Sequence, residues 1–582
     1  VMPLVTGNKV ASDVGPTLEW WQEPIRYYYL ILQTGDGTLS RRIGILLMLL
    51  SLFYVMFRLL RGRHPNGVAR APIWRLIAVM LGTMFFIAFT PTKWTHHFGV
   101  YAGIAGGLAA AAGAMMAPAL LASRRNRAFA ASAVFFVTAM AFAGINMWWF
   151  VGNYGVPWRD RPVAIAGINL SWIILALAVA TALLGLFYHF RDDYVDEKTR
   201  TGPVLGGPFR FAPLPTVAAL VVLFMVASLA KGAWVQRDSW SWTKSNYRAM
   251  TGNECALAND VLVAADPTKG ILLPAAVGGR PAAPVADGLG AGPGFSPNGV
   301  PENIMSSSKT TDGGELPSQE NPGASANESA AGGTWGGRGP RGVNGSTQLL
   351  PFGLNPAHTP VLGSYGATGP AALTTGWYQL PFNTSQPDTD RPLVTVAVAG
   401  SVQAVDIDNA EKKGQSVLLE FGRRRADGSV VAVGRMFPLD AGEAPAWRDL
   451  RFPLDKAPRD ADFVRIVVDD KSDATKEWVA LTPPRVDRLR TLNDVVGQTD
   501  PVFIDWLPGF VFPCQRPIAV RNGVLEVPMW RIMPEADATR RNSQTWMAGK
   551  AGGPLGITEA LLRPTLMPTY LRNNWGRDWG GL

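Results

Sequence analysis

Six runs of about 18 or more mainly apolar residues crowd the first 232 positions, near 43–60, 73–90, 98–122, 128–151, 165–190 and 214–232. As helices, each would cross roughly 30 Å of hydrocarbon. Lipid offers no water to take up backbone hydrogen bonds, so runs of this kind have to be helices that satisfy themselves. The chain of 582 residues is too long for one core, and its 47% hydrophobic and 17% charged content averages two unlike halves. The formal net charge of +9 calls for no nucleic-acid partner, because much of the basic clustering falls between apolar runs, where membrane topology accounts for it.

Cytoplasmic loops keep an excess of Lys and Arg near span ends. One set of loops carries Arg58, Arg61, Arg63, Arg70 and Arg75, then Arg124, Arg125 and Arg127, then Arg191, Lys198, Arg200 and Arg210. The other carries Arg41, Arg42, Lys93, Arg159, Arg161 and Lys231. The first set is read as cytoplasmic, which puts residues 1–42, the loop after the second run and everything beyond 232 outside; Arg41 and Arg42 go against that trend. The opening "VMPLVTGNKVASDVGPTLEWW" lacks the basic and apolar regions of a signal peptide. A chain starting outside without one reads as the C-terminal portion of a longer membrane protein.

Past residue 232 the composition changes. Trp234, Trp240 and Trp242 follow the last run, as an interfacial aromatic belt would. Residues 276–345 are rich in Gly, Pro, Ala, Ser and Asn and read as a long mobile insertion. From about 346 onward, short β-branched segments recur between Gly, Pro, Asp and Asn: "PLVTVAVAG", "SVLLEF", "SVVAVGRMF", "WRDLRFPL", "DFVRIVVDD" and "EWVALTPPRV". No helical stretches alternate with them, so an antiparallel jelly-roll β-sandwich is expected over 233–582. Both cysteines, Cys255 and Cys514, fall in this part, where a disulfide would persist, and a pair is predicted; two buried free thiols are the alternative.

Between the second and third runs stands "TPTKWTHHFG", which packs Lys93, Trp94, His96 and His97 into a tight membrane-edge loop. Imidazole and ammonium donors there could meet a lipid phosphate; the plainer reading is that all four residues cap helices in the headgroup layer. A metal is disfavoured, since adjacent histidines present both rings to one ion poorly. Gly99, Gly103 and Gly107 recur every four residues and predict close helix packing. Trp158, Arg159, Asp160 and Arg161 read as an internally paired turn rather than a phosphate clamp. Trp377, Trp506 and Trp546 sit beside turn residues, either as platforms for sugar rings or as core. Asp469 and Asp470 are weak calcium candidates. Asp13, Glu19, Glu23 and Asp160 lack the surroundings that would mark a catalytic base.

Taken together, "GPTLEWWQEPIRYYYL", "TPTKWTHHFG", "LPFGLNPAHTPVLGSYG", "FPCQRP" and "NNWGRDWGG" resemble the Emb arabinosyltransferases of mycobacteria along the whole chain, and only the C-terminal half of that family's polypeptide. The resemblance implies a GT-C glycosyltransferase: a transmembrane helical bundle, of which this chain carries six helices (43–232), and an extracytoplasmic β-sandwich akin to carbohydrate-binding modules. It implies transfer of D-arabinofuranose from decaprenyl-phosphoryl-arabinose to cell-wall arabinan, in arabinogalactan or lipoarabinomannan, and inhibition by ethambutol. It also implies a homo- or heterodimer with an Emb paralogue and an acyl carrier protein on the cytoplasmic side. Carried over by motif, Trp94 and His96 resemble the donor-phosphate residues, Trp506 and Trp546 the walls of the sugar and ethambutol site, and Trp377 with Asn246 a carbohydrate-binding pair. Cys255 and Cys514 resemble the family's disulfide. Asp470 resembles a ligand of its structural calcium, no cofactor being obligatory. The family's catalytic aspartate lies upstream of Val1, so this chain alone is expected to be inactive. The alternative is a non-catalytic protein that binds or transports cell-wall polysaccharide.

Overall fold

The computed structural model describes residues 18–62, 69–90, 92–148, 150–191, 194, 213–304, 336–405, 411–442, 444–471, 477–504, 508–522, 524–535 and 565–582. Two compact units divide after Gln236.

The first unit is helical. A short helix, Pro24–Tyr29, precedes α1 (Leu39–Leu60), α2 (Arg70–Ile87), α3 (Ala102–Ala122), α4 (Arg124–Phe142), α5 (Leu170–Arg191) and α6 (Pro213–Val235). Among the described residues, five segments are long and apolar enough to cross a membrane: α1, α2, Thr95–Ala117, α5 and a stretch of α6 from Leu214. The fourth run is the exception. Its helix opens on Arg124, Arg125 and Arg127 and ends at Phe142, nine residues before the expected boundary, because Gly144 is drawn against the Gly37 carbonyl and the Arg42 guanidinium. The fifth starts at Leu170, after a tight hairpin that turns at Ala166 and Gly167, both with positive φ. One core joins Leu52, Val55, Ile77, Met80, Leu108 and Met115 of α1–α3. Much of α5 and α6, including Leu183, Phe187, Leu223 and Val226, stays exposed, as lipid-facing surface would.

The Gly99–Gly103–Gly107 face packs less than expected. A Cβ on Gly107 would touch Leu76 of α2, whereas Gly99 and Gly103 meet nothing within 4 Å. Arg41 and Arg42, discordant as charge markers, are structural. Arg42 is buried and donates to the carbonyls of Gly37 (2.7 Å), Ile31 (2.8 Å) and Leu32 (2.9 Å); Arg41 pairs with Asp36 at 3.0 Å. The chain can fold that tightly only because Gly37 lacks a Cβ, which would stand 1.8 Å from the Leu32 carbonyl oxygen.

In the second unit, α7 (Trp242–Met250) is capped by Ser241, whose hydroxyl accepts from Lys244 N. The main strands are β1 (Ala371–Thr374), β2 (Leu393–Gly400), β3 (Ser416–Arg424), β4 (Val430–Met436), β5 (Arg448–Pro453), β6 (Phe463–Asp470) and β7 (Val479–Leu481). One antiparallel sheet runs β4-β3-β6-β1, with Tyr378–Gln379 also on β6. The other runs Leu362–Gly363, β7, β2, β5, then Leu439–Asp440, Ala404–Val405 and Glu411–Lys412. The two-residue period of a strand sends Val417, Leu419 and Phe421 of β3 and Val464, Ile466 and Val468 of β6 inward. There they meet Val394, Val396 and Val398 of β2 and Leu450 and Phe452 of β5 in one core. This is the expected β-sandwich.

β2 is buried along its whole length, since its opposite face is covered too. The small Ala397 and Ala399 leave room for Val300, Ile304, Phe352, Trp447 and Trp478 in a second layer. The reading of 276–345 as one mobile insertion falls partly on 305–335, outside the described residues. Residues 276–304 and 336–345 have defined places, with Leu289, Val300 and Ile304 buried in the two cores. A few well-placed aliphatic side chains anchor a segment whose average composition hides them. Trp240 is likewise a buried residue, edge-to-face with Trp242 at 5.4 Å, while Trp234 and Trp242 are exposed.

Candidate functional site

The loop 90–99 is built from inside outward. Thr95–Tyr101 form a 3-10 turn entering α3, and the turn's polar side chains are fixed by the segment preceding α1. Thr95 Oγ1 donates to Asp36, and its backbone N–H also reaches the Asp36 carboxylate, at 3.2 Å. Arg26, on the Pro24–Tyr29 helix, is completely buried and forms a two-pronged pair with Glu23, Nε to Oε1 at 2.7 Å and Nη2 to Oε2 at 3.1 Å. It donates further to Trp94 O (2.8 Å), Thr90 Oγ1 (2.8 Å) and Ile87 O (3.2 Å), and reaches His97 Nδ1 at 2.7 Å. A buried guanidinium without partners would be costly, so this network holds the hairpin as one piece.

Lys93 departs from expectation. Rather than standing ready for a phosphate, its side chain is 1% exposed, and its ammonium donates to the carbonyls of Ala88 (2.5 Å) and Thr90 (2.9 Å), 3.6 Å from Glu23. Burial holds its pKa below that of an ordinary lysine, opposed by Glu23. What remains outward is an aromatic group. His96 is exposed and Trp94 half-buried, their ring centroids 5.1 Å apart; His97 packs edge-to-face on His96 at 4.5 Å. The unit thus presents His96 on a braced platform, with an indole against its ring.

The loop at 158–161 is not a clamp. Trp158 stacks on Phe224 of α6 and belongs to the helical core, and Arg161 lies 3.9 Å from Asp160.

In the second unit, Trp377 lies on the outer face of the β4-β3-β6-β1 sheet. Glu420, outward on β3, faces Arg435 of β4 and Arg465 of β6 in register and is ion-paired to both. The Arg465 guanidinium stacks 4.5 Å from the Trp377 ring centroid. The indole edge fills the space above Gly422, where a Cβ would come within 2.6 Å of it. Trp377 is therefore a half-buried surface aromatic, outside the sandwich core. Asn246 is exposed on α7. Cys255 and Cys514 form the predicted disulfide, with Cα atoms 5.0 Å apart. Trp506 and Trp546 lie outside the described residues.

Asp470 is the residue named for calcium. The side chain is buried at the end of β6 and accepts from Ser364 Oγ at 2.6 Å. Asp469 is exposed and sits 3.3 Å from Lys471. Calcium takes about six to eight oxygens; among the described residues no three His, Cys, Asp or Glu side chains gather as a metal site, and 472–476, which follow Asp470 closely, lie outside the described residues.

The sequence reading missed Arg26 and Asp36 and gave Glu23 no role. The available signal was a pair of opposite charges inside the aromatic stretch "EPIRYYYL", since charge in such a setting needs a buried partner.

Comparison with known proteins covers both units. Residues 226–582 match the family described as the EmbC C-terminal domain, and residues 1–191 the family described as mycobacterial cell wall arabinan synthesis protein. The chain is 40% identical over 590 residues to probable arabinosyltransferase B of Mycolicibacterium smegmatis, covering 100% of this chain and 52% of that protein. It is 41% identical over 586 residues to probable arabinosyltransferase A of Mycobacterium tuberculosis strain H37Rv, covering 99% and 52%. The cryo-EM structure of arabinosyltransferase EmbB from Mycobacterium smegmatis superposes with a TM-score of 0.77 at 38% identity, over 92% of this chain and 50% of that one. The chain spans about half the length of the curated relatives it matches.

Proposed function

Because the chain belongs to the Emb arabinosyltransferase family, we propose that it is the C-terminal half of a membrane arabinosyltransferase that moves D-arabinofuranose from decaprenyl-phosphoryl-arabinose to cell-wall arabinan. The observation that carries this reading is His96, exposed on a hairpin in which the neighbouring cations Arg26 and Lys93 are already committed to Glu23 and backbone carbonyls. An imidazole N–H presented this way, with Trp94 against its ring, suits the departing polyprenyl phosphate, whose charge grows as the glycosidic bond breaks. The acceptor hydroxyl would lose its proton to the catalytic aspartate that the family resemblance implies.

Trp506 and Trp546 are proposed as walls of the sugar and ethambutol site, and Trp377 with Asn246 as carbohydrate contacts on an extracytoplasmic domain. Assembly with a second Emb chain and an acyl carrier protein on the cytoplasmic side rests on the resemblance alone.

The test is transfer of radiolabelled arabinose from the lipid donor by the full-length enzyme in membranes. His96→Ala is expected to lower transfer roughly tenfold or more, the scale of losing one charge-stabilising donor. Near-wild-type transfer would remove His96 from the mechanism.

A further inference from the structure

Arg26 carries chemistry that the proposed function leaves unused. A guanidinium has five N–H donors and no acceptor, so its 2.7 Å contact with His97 Nδ1 requires a lone pair on that nitrogen. His97 therefore keeps its one ring proton on Nε2, on the far side of the imidazole from Arg26. A second ring proton would set N–H against N–H at that distance. The same guanidinium holds the Trp94 carbonyl at 2.8 Å. The rings of Trp94, His96 and His97 form one cluster, with centroids 4.5 to 5.8 Å apart, so what fixes His97 also limits where His96 can turn.

We infer that Arg26 is a positioning residue that fixes the tautomer of His97, and that His97 Nε2–H is a second donor to the oxyanion that His96 meets. The inference rests on the reading of Trp94 and His96 as donor-phosphate residues. It explains two adjacent histidines in one loop: one is steered by the protein interior, and the pair gives a phosphate two neutral donors in place of one mobile ammonium. Only a rigid fork can serve Glu23, Trp94 O, Thr90 and His97 at once, which a lysine at position 26 could not do.

The experiment uses the full-length enzyme in lipid nanodiscs with 15N-labelled histidine. The His97 signals, assigned by their loss in His97→Asn, are expected to show an unprotonated Nδ1 and a protonated Nε2. In Arg26→Gln the ring should become a mixture of tautomers. Kinetically, His97→Asn keeps an oxygen where Nδ1 accepted from Arg26 but removes the distal donor. KM for the polyprenyl-phosphoryl donor is expected to rise about tenfold, with kcat changed less than threefold. A protonated Nδ1 in the wild type, or an unchanged KM in His97→Asn, overturns the inference. If Arg26→Gln does not fold, the wild-type tautomer and His97→Asn still decide. His96→Ala separates the two levels. Lost transfer in His96→Ala beside an unaffected His97→Asn sinks only this inference, and an unaffected His96→Ala sinks the phosphate reading with it.

Discussion

Asp487 shows how one buried residue carries a pH dependence. Neither of its oxygens receives a hydrogen bond among the described residues, and a Cβ on Gly270 would lie 1.9 Å from Oδ1. Arg485, 4.0 Å away, is committed to Asp449 at 2.5 Å, and Tyr570 donates to that same carboxylate at 2.8 Å. Burial outweighs Arg485 and raises the Asp487 carboxyl to about 7. A carboxyl raised above its unfolded value of about 3.9 holds its proton more tightly when folded. Its favourable contribution is complete below about pH 4 and is lost as pH rises towards 7. Asp487→Asn is therefore expected to raise the melting temperature more at pH 8 than at pH 4.5; an equal shift at both would show that the group does not titrate in this window. Little of this was legible in the sequence. Nothing in "PPRVDRL" says which of its charges turn inward, just as nothing in "TPTKW" separates the internal Lys93 from the outward His96. Those choices depend on partners tens of residues away, such as Glu23 for Lys93 and Asp449 for Arg485.

Among elements, legibility followed local composition. The six segments named as β-branched runs between Gly, Pro, Asp and Asn all became β2 to β7, because branched side chains favour the extended backbone and those flanking residues end it. β1 escaped, its "AALT" too short and too plain to register. Helices were found from apolar runs, but ends set by tertiary partners were not; Phe142 closes α4 because the chain turns at Gly144 to meet Arg42. The outer sheet face offers a test of this kind of local dependence. Gly422→Ala would bring a Cβ within 2.6 Å of both Trp377 and Val430. The expected loss is about 1–3 kcal/mol of stability, typical of overpacking. Thermal melting should show a smaller loss when Gly422→Ala is made in a Trp377→Ala background, since one of the two obstructing groups is then gone. An identical loss in both backgrounds would mean that the indole is not held over Gly422.

Considered as a whole molecule, the long apolar helices and the sandwich were readable because each depends on pattern summed over many residues, whereas Trp506 and Trp546 lie outside the described residues. The disulfide acts at this scale. Cys255 and Cys514 are 259 residues apart, and closing so long a loop is worth about 5 kcal/mol in the chain-entropy model. Reduction, or Cys255→Ser with Cys514→Ser, is expected to lower the melting temperature clearly; an unchanged melt would assign the sandwich's stability to its core alone. The same unit ties its far end to its beginning. Thr569–Leu571 pair with Val261–Val263, Gly580–Gly581 pair with Met533 and Pro534, and Trp579 is buried beside Phe512. A ribosome making this protein therefore delivers Thr569–Leu571 some three hundred residues after the strand it must flank. Until that segment emerges, Val261–Val263 has an edge bare, open to pairing with another chain.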